Sequence, residues 1–239
     1  MAKKQLKMKY IVFFTFLFLM FSGSLSAQVE SEEEEVVIVK IRDRVDDKLV
    51  FEITNDMWLD LPSGVELRGF SPGFKGYFYS DYTFGQDAIV SFAWGFGISA
   101  DNVHSNAVLV QEDLGDGELG DQELVAYPDD YEYEKNKFVT TYLELPIELR
   151  LITKGRSPFK LAAGFRLGYL LSDHQKIIDT DGKRKIYDFN DVSVWRYGLS
   201  ARIGVGKIQA TAFYSLVPLV EGSDNVIPFS VGIALTPIR

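Results

Sequence analysis

Cysteine is absent from this chain. No disulfide, thiolate nucleophile or cysteine-ligated metal can form, and no lipidated cysteine can follow an export signal. Histidine is scarce, with only His104 and His174. No glycine-rich phosphate loop, nucleotide motif or zinc-ligand spacing is present, so no cofactor is expected. Basic charge is short as well. The formal net charge is −9, which disfavours nucleic acid as a partner because that surface must be cationic. After residue 27, no apolar run reaches the ~20 residues a spanning helix needs. A barrel escapes that last exclusion, because its strands are apolar only at every second position.

What is present begins with an export signal over residues 1–27. Lys3, Lys4, Lys7 and Lys9 form a basic region, Tyr10 to Phe21 an apolar one, and Ser24-Leu25-Ser26-Ala27 a small-residue cleavage site. Cleavage after Ala27 puts Leu25 at −3; cleavage after Ser26 puts Ser24 there. The boundary is therefore set at Ala27, within one residue. Cleavage removes four lysines and no acid, leaving 21 basic against 34 acidic residues and a formal charge of −13. Residues 28–48 are expected to be an acidic periplasmic segment, with Glu32 to Glu35 as a solvated run.

From Leu49 onward, side-chain character alternates with period two. In the stretch from Ala88 to Ser99, Val90, Phe92, Trp94, Phe96 and Ile98 share one face. Ser91, Ala93, Gly95, Gly97 and Ser99 share the other. Strand side chains alternate in this way. The pattern predicts eight strands, near 49–60, 73–84, 88–99, 138–152, 159–173, 192–205, 207–217 and 228–236. In the first, alternation is expected to slip near Asn55. In the fourth, Pro146 predicts a bulge or kink. Ser172 is assigned to the inward face of the fifth.

Connections at Gly85-Gln86-Asp87, at Gly155-Arg156-Ser157 and at the Gly206 corner are short. Those near 61–72, 101–137, 174–191 and 218–227 are long. Strict alternation of short and long is the pattern of an outer-membrane barrel, whose long loops lie outside the cell. A soluble antiparallel barrel would also alternate, with its apolar face inward. The second face decides between them: it is rich in Gly, Ser and Ala, where a solvent face carries Lys, Glu and Thr. Trp94, Trp195, Tyr197, Tyr169 and Tyr82 suit interfacial girdles. The expected fold is thus all-β: a single antiparallel eight-stranded transmembrane β-barrel of outer-membrane type over 49–239.

Lys75, Asp81, Glu144, Glu148, Arg150, Arg166, Arg196 and Arg202 fall on the small-residue face. They are expected to form a lumenal ion-pair network that fills the barrel, because buried charge is costly unless paired; a selective ion path is the alternative. His104 lies beside Ser105 and Asp101, and His174 beside Ser172 and Asp173, a weak Ser/His pattern with no defined acid or oxyanion donor. No catalytic residue is assigned. The acidic loop residues Glu112, Asp113, Asp116, Glu118 and Asp121, and the turn Asp179-Thr180-Asp181-Gly182, lack the ligand spacing of a calcium loop. Weak divalent bridging to lipopolysaccharide phosphates is their alternative role, and no metal site is assigned.

Two segments carry a family resemblance: Thr141-Tyr142-Leu143-Glu144-Leu145-Pro146-Ile147-Glu148-Leu149-Arg150 and Phe159-Lys160-Leu161-Ala162-Ala163-Gly164-Phe165-Arg166-Leu167-Gly168-Tyr169. With Phe74-Lys75-Gly76-Tyr77 and Gly95-Phe96-Gly97-Ile98-Ser99, they resemble the PorT-like outer-membrane barrels of the Bacteroidetes. The likeness spans roughly Phe51 to Leu235. It implies a barrel without shared catalytic residues. It also implies a role beside secretion machinery, since the founding member of that family belongs to the type IX system. The chain ends Leu235-Thr236-Pro237-Ile238-Arg239, where many such barrels end in an aromatic. Expected partners are outer-membrane lipid and lipopolysaccharide, the barrel-insertion machinery and secretion-system proteins. Three functions follow: a non-enzymatic structural or interaction protein, a small-solute channel, and a lipid-modifying enzyme.

Overall fold

Period-two alternation places most large apolar side chains of a strand on one face, and a closed sheet lets that face point one way all round. The computed structural model describes residues 47–237, apart from 86–87, 116–117, 129, 156, 188, 190 and 221–225. The export signal, the 28–48 segment up to residue 46, and Gln86, Asp87, Asp116 and Arg156 lie outside the described residues.

Eleven strands form among the described residues: β1 (Leu49–Leu59), β2 (Pro72–Thr83), β3 (Val90–His104), β4 (Ala107–Gly115), β5 (Glu118–Ala126), β6 (Tyr133–Ile152), β7 (Phe159–Asp179), β8 (Gly182–Tyr187), β9 (Trp195–Val205), β10 (Ile208–Ser215) and β11 (Ile227–Leu235). Eight of them close a barrel. Going round, β1 pairs with β2, then β3, β6, β7, β9, β10 and β11, and β11 returns to β1. Every pairing is antiparallel. Closure leaves no unpaired edge within the barrel wall.

The faces divide as a barrel in lipid requires. Trp94, Ile98, Leu149 and Ile233 point outward and are more than half exposed, while Glu52, Lys75, Glu144, Arg166 and Arg202 point inward and are buried. A soluble barrel would reverse this, and an exposed apolar belt of this extent does not persist in water. Tyr169 and Trp195 meet edge-on at 5.0 Å towards the long-loop end, and Tyr82 and Phe84 at 6.0 Å at the other. Trp94, expected in a girdle, sits between Phe92 and Phe96 inside the belt.

Three local expectations are corrected. Alternation does not slip at Asn55: that residue takes the outward slot, and its Oδ1 accepts the Ser71 N–H at 2.8 Å. Pro146 makes no bulge. The β3–β6 ladder loses its bridges there, for want of an N–H, yet the register is the same on both sides, Trp94 opposite Ile147 and Gly97 opposite Glu144. The bulge lies at Leu171, unpaired between Leu170 (opposite Tyr142) and Ser172 (opposite Thr141). One extra residue flips the faces beyond it, so Ser172 is exposed and Asp173, Gln175 and Ile177 are buried.

The long-loop end is folded. Residues 107–115 and 118–126, expected as loop, pair as the β4–β5 hairpin, and β8 extends the sheet beside β7. Ala107, Leu109 and Leu124 of the hairpin join Trp58, Val103, Phe138, Val192, Leu219 and Val220 in an apolar cluster at this end of the barrel. Asn136 Nδ2 and Gln175 Nε2 tie it down by donating to the Ala107 carbonyl at 2.6 and 3.0 Å.

Small residues on the inward face make room for large ones opposite. A Cβ built on Gly97 would lie 2.3 Å from the Gly76 carbonyl oxygen and 2.3 Å from the Tyr77 ring. Gly97→Ala is therefore expected to cost about 1–3 kcal/mol, the usual range for overpacking. The cost is read as a lower urea midpoint of the heat-modifiable folded band on a denaturing gel. An unchanged midpoint would refute the close packing of Gly97 on Tyr77.

Candidate functional site

The lumen is the densest concentration of polar chemistry among the described residues. Alternation sends one charged residue after another inward, where each must find its counter-charge across the barrel or on a neighbouring strand.

At the short-turn end, Asp47 pairs with Lys160, and Arg150 bridges Asp81 at 2.6 Å and Glu148 at 2.9 Å. One level up, Arg202 meets Glu148 at 2.7 Å, and Arg166 grips both carboxylate oxygens of Glu52 at 2.8 and 3.1 Å. Thr211 donates to Glu52 at 3.1 Å. Above this, Arg196 joins Glu144 at 2.6 Å to Asp101 at 2.5 Å, while Lys75 reaches Asp101 at 2.8 Å and Asp56 at 3.7 Å. Tyrosines stitch the levels together: Tyr77 donates to Glu144 at 2.5 Å and Tyr79 to Glu148 at 2.7 Å.

Aromatic rings cover the guanidinium faces. Arg150 lies 4.0 Å from the Tyr79 ring centre, Arg166 4.6 Å from Tyr77 and Arg196 3.9 Å from Tyr142. Such contacts gain strength when desolvated. A cavity lined by Asp101, Arg196, Ser230 and Trp58 measures about 10 Å³, room for a single water.

All eight residues expected to line the lumen, Lys75, Asp81, Glu144, Glu148, Arg150, Arg166, Arg196 and Arg202, are brought into these ion pairs. Sequence reasoning missed Asp47, Glu52, Asp56, Asp101 and Lys160. Glu52 was legible, because it alternates with Phe51 and Ile53. Lys160 was on the inward face but left out of the set. Asp101 drew attention only as a neighbour of His104. Asp47 lay in the segment assigned to the periplasm.

The histidines are placed elsewhere. His104 faces outward at the end of β3, its Nδ1 3.4 Å from Ser71 Oγ. Asp101, three residues back, falls on the opposite face and is held by Arg196 and Lys75. Ser105 is buried and accepts the Ala107 N–H. His174 packs against Tyr187 with ring centres 5.4 Å apart, and Asp173 points inward to accept the Phe189 N–H at 3.0 Å. The Ser, His and Asp neighbours in sequence are therefore not brought together.

Of the acidic loop residues, Asp116 and the side chains of Glu112, Asp113, Glu118 and Asp121 lie outside what is described. Asp179 is occupied: Tyr131 donates to it at 2.5 Å, and Arg184 pairs with it. Among the described residues no group of three or more metal-type ligands gathers.

An apolar exterior, an ion-paired interior and a wall without an edge define a transmembrane β-barrel of outer-membrane type. The chain belongs to the outer membrane protein beta-barrel domain family, which it matches over residues 52–217, and it is an outer-membrane protein. Comparison with curated proteins finds no match. Among solved structures it is similar to Ail, the attachment invasion locus protein of Yersinia pestis. The identity is 12% and the TM-score 0.35, with 78% of this chain and 95% of that one covered.

Two predictions follow from the ion pairs. Glu52→Leu strands the Arg166 guanidinium and is expected to cost about 3–5 kcal/mol. Glu52→Leu with Arg166→Leu should recover much of that in the urea midpoint, and a double variant no better than the single one would count against pairing. Outside the membrane, the Tyr131 hydroxyl and Arg184 hold the Asp179 carboxyl below its usual range. A depressed folded value stabilises above the unfolded one, near pH 4, and that stability is lost as pH falls through the folded value. Amide hydrogen exchange at the β7–β8 turn, taken relative to the intrinsic rate at each pH, should therefore rise below about pH 4. Asp179→Asn should raise it already at neutral pH; exchange indifferent to both changes would remove the clasp from the account.

Proposed function

We propose that this protein is a non-enzymatic outer-membrane barrel with a filled, non-conducting lumen, working as a structural or interaction component and serving protein secretion as PorT-like barrels do. Ion pairing through three successive levels of the described lumen carries this reading. Eight strands enclose an interior just wide enough for side chains, and here charged and aromatic groups occupy it level by level. Solute passage would require breaking several buried ion pairs at once.

The placement of ordered structure supports an interaction role. The short-turn end carries tight connections, whereas the long-loop end carries a hairpin, an added strand and an apolar cluster. Long loops lie outside the cell in this architecture, so the built surface faces outward. In this reading, residues 1–27 direct export and are removed near Ala27, the insertion machinery closes the barrel, and the acidic segment stays in the periplasm only as far as residue 46, since Asp47 enters the lumen to pair with Lys160. The resemblance to PorT-like barrels supplies the secretion role, and the scattered Ser, His and Asp residues favour an absence of catalysis.

The test has two arms. Reconstituted in a planar bilayer, the protein is expected to give no stable conductance steps. Deletion of the gene is expected to deplete secreted proteins from the medium while lipid A acylation stays the same, and His104→Ala should leave that acylation unchanged. Large stable steps would replace this reading with a channel; altered acylation would replace it with an enzyme.

A further inference from the structure

Above the apolar belt, on the outward face of the barrel wall, the strand registers line up basic side chains. His104 of β3 lies opposite Lys137 of β6, Lys137 opposite Lys176 of β7, and Lys176 opposite Lys185 of β8. The next row out sets Lys135, Ile178 and Lys183 side by side. Directly opposed residues of antiparallel strands have Cβ atoms ~5 Å apart, and like charges so placed are destabilising. Here three lysines are opposed in sequence across three strands, in a chain whose net charge is −9.

Compensation among the described residues is slight: Glu134 opposes the repulsion at Lys176, and the Tyr187 ring centre lies 5.7 Å from Lys185 Nζ. None of the five lysines forms an ion pair with a described carboxylate. Lys137 donates only to the neutral Asn102 Oδ1, at 2.9 Å. Burial and then Lys135, Lys176 and Lys185 push the Lys137 pKa down. Lys176 is likewise lowered by burial and by Lys183, Lys135 and Lys185, with Glu134 the lesser opposing influence. Edge protection explains lysines on β8, a strand with one free edge. It does not explain Lys137 and Lys176, which lie on strands paired on both sides.

The height of the row indicates the ligand. Lys137 lies six residues beyond Leu143, where the apolar belt of β6 begins. At ~3.3 Å per residue and a tilt of about 40°, that is roughly 15 Å above the belt. The polar region of a leaflet occupies the first several ångströms there, and long lysine stems bend back towards it. Between row and belt stand His174 and Tyr187, packed against each other.

We propose that the row His104, Lys137, Lys176 and Lys185, flanked by Lys135 and Lys183, binds the phosphate groups of outer-leaflet lipopolysaccharide. Lysine ammonium groups meet phosphate oxygens through charge-assisted hydrogen bonds, and the anion removes the repulsion between neighbouring strands. The site uses lysine directly, with no divalent cation between. It rests on the outer-membrane location and not on the secretion role, so either can fail alone.

The test uses purified full-length protein in neutral detergent, titrated with lipopolysaccharide, with binding read from the melting temperature of the heat-modifiable band. Wild type is expected to be stabilised, with the effect surviving EDTA and shrinking with dephosphorylated lipopolysaccharide. The triple variant Lys137→Gln, Lys176→Gln, Lys185→Gln is expected to bind at least about tenfold more weakly. Without ligand it should melt no lower than wild type, because repulsion has been removed. The triple Lys→Arg variant should retain binding. Equal binding by wild type and the Gln variant would overturn the site. Loss of wild-type binding in EDTA would assign it to metal bridging by acidic groups. Equal stabilisation by inorganic phosphate would make it a free-anion site and overturn the lipid assignment.

Discussion

Charge compensation inside a lumen that excludes bulk water is the constraint on which the rest of this barrel depends. Seven carboxylates (Asp47, Glu52, Asp56, Asp81, Asp101, Glu144 and Glu148) meet six cations (Lys75, Arg150, Lys160, Arg166, Arg196 and Arg202). Few of these contacts are local in sequence. Glu52 of β1 reaches across to Arg166 of β7, and Glu144 and Glu148 of β6 reach Arg196 and Arg202 of β9. A one-residue slip of any strand would turn its charges out into lipid and its apolar row into the lumen. The ion pairs thus act chiefly on register, and any net gain in stability over an apolar filling would be small or negative.

Packing and charge are coupled through the tyrosines. A guanidinium in a narrow lumen cannot have all its N–H groups met by oxygen. Arg166 Nε, Arg196 Nε and Arg202 Nε have no such partner among the described residues. Rings supply what oxygen does not: Tyr77, Tyr79, Tyr142 and Phe213 lie against these groups. Those rings need space, and the neighbouring strands provide it by carrying no side chain at Gly97 beside Tyr77 and at Gly198 beside Phe213. The small-residue face is therefore the complement of the aromatic and charged one.

The barrel was legible from the sequence because its determinant, period-two alternation against a face of glycine and serine, is local. The eight lumenal charges named from that pattern were reached for the same reason. Legibility ended where the determinant was non-local. The bulge at Leu171 depends on how β7 meets β6, and no residue there announces it. Pro146 announced a break that the ladder absorbs by losing bridges without changing register. Asp101 and Asp47 looked like loop or lead-in residues, since their counter-charges, Arg196 and Lys160, are about a hundred residues away. The β4–β5 hairpin was hidden because its apolar residues face a cluster drawn from several connections.

The same electrostatic rule separates the two polar regions of the molecule. In the lumen, cations and carboxylates alternate so closely that each described charge meets an opposite one, and such an arrangement is complete without a ligand. On the outer wall, the register sets His104, Lys137, Lys176 and Lys185 in one line, and no described carboxylate forms an ion pair with the lysines. A sheet that only needed solubility could have alternated signs across those strands and gained a little stability. Lysines on paired strands, roughly 15 Å above the apolar belt and without an ion-pair partner among the described residues, hold interaction free energy in reserve for an anion from outside the chain. The lumen is thus the part of the structure that specifies the fold, and the rim is the part arranged to meet something else.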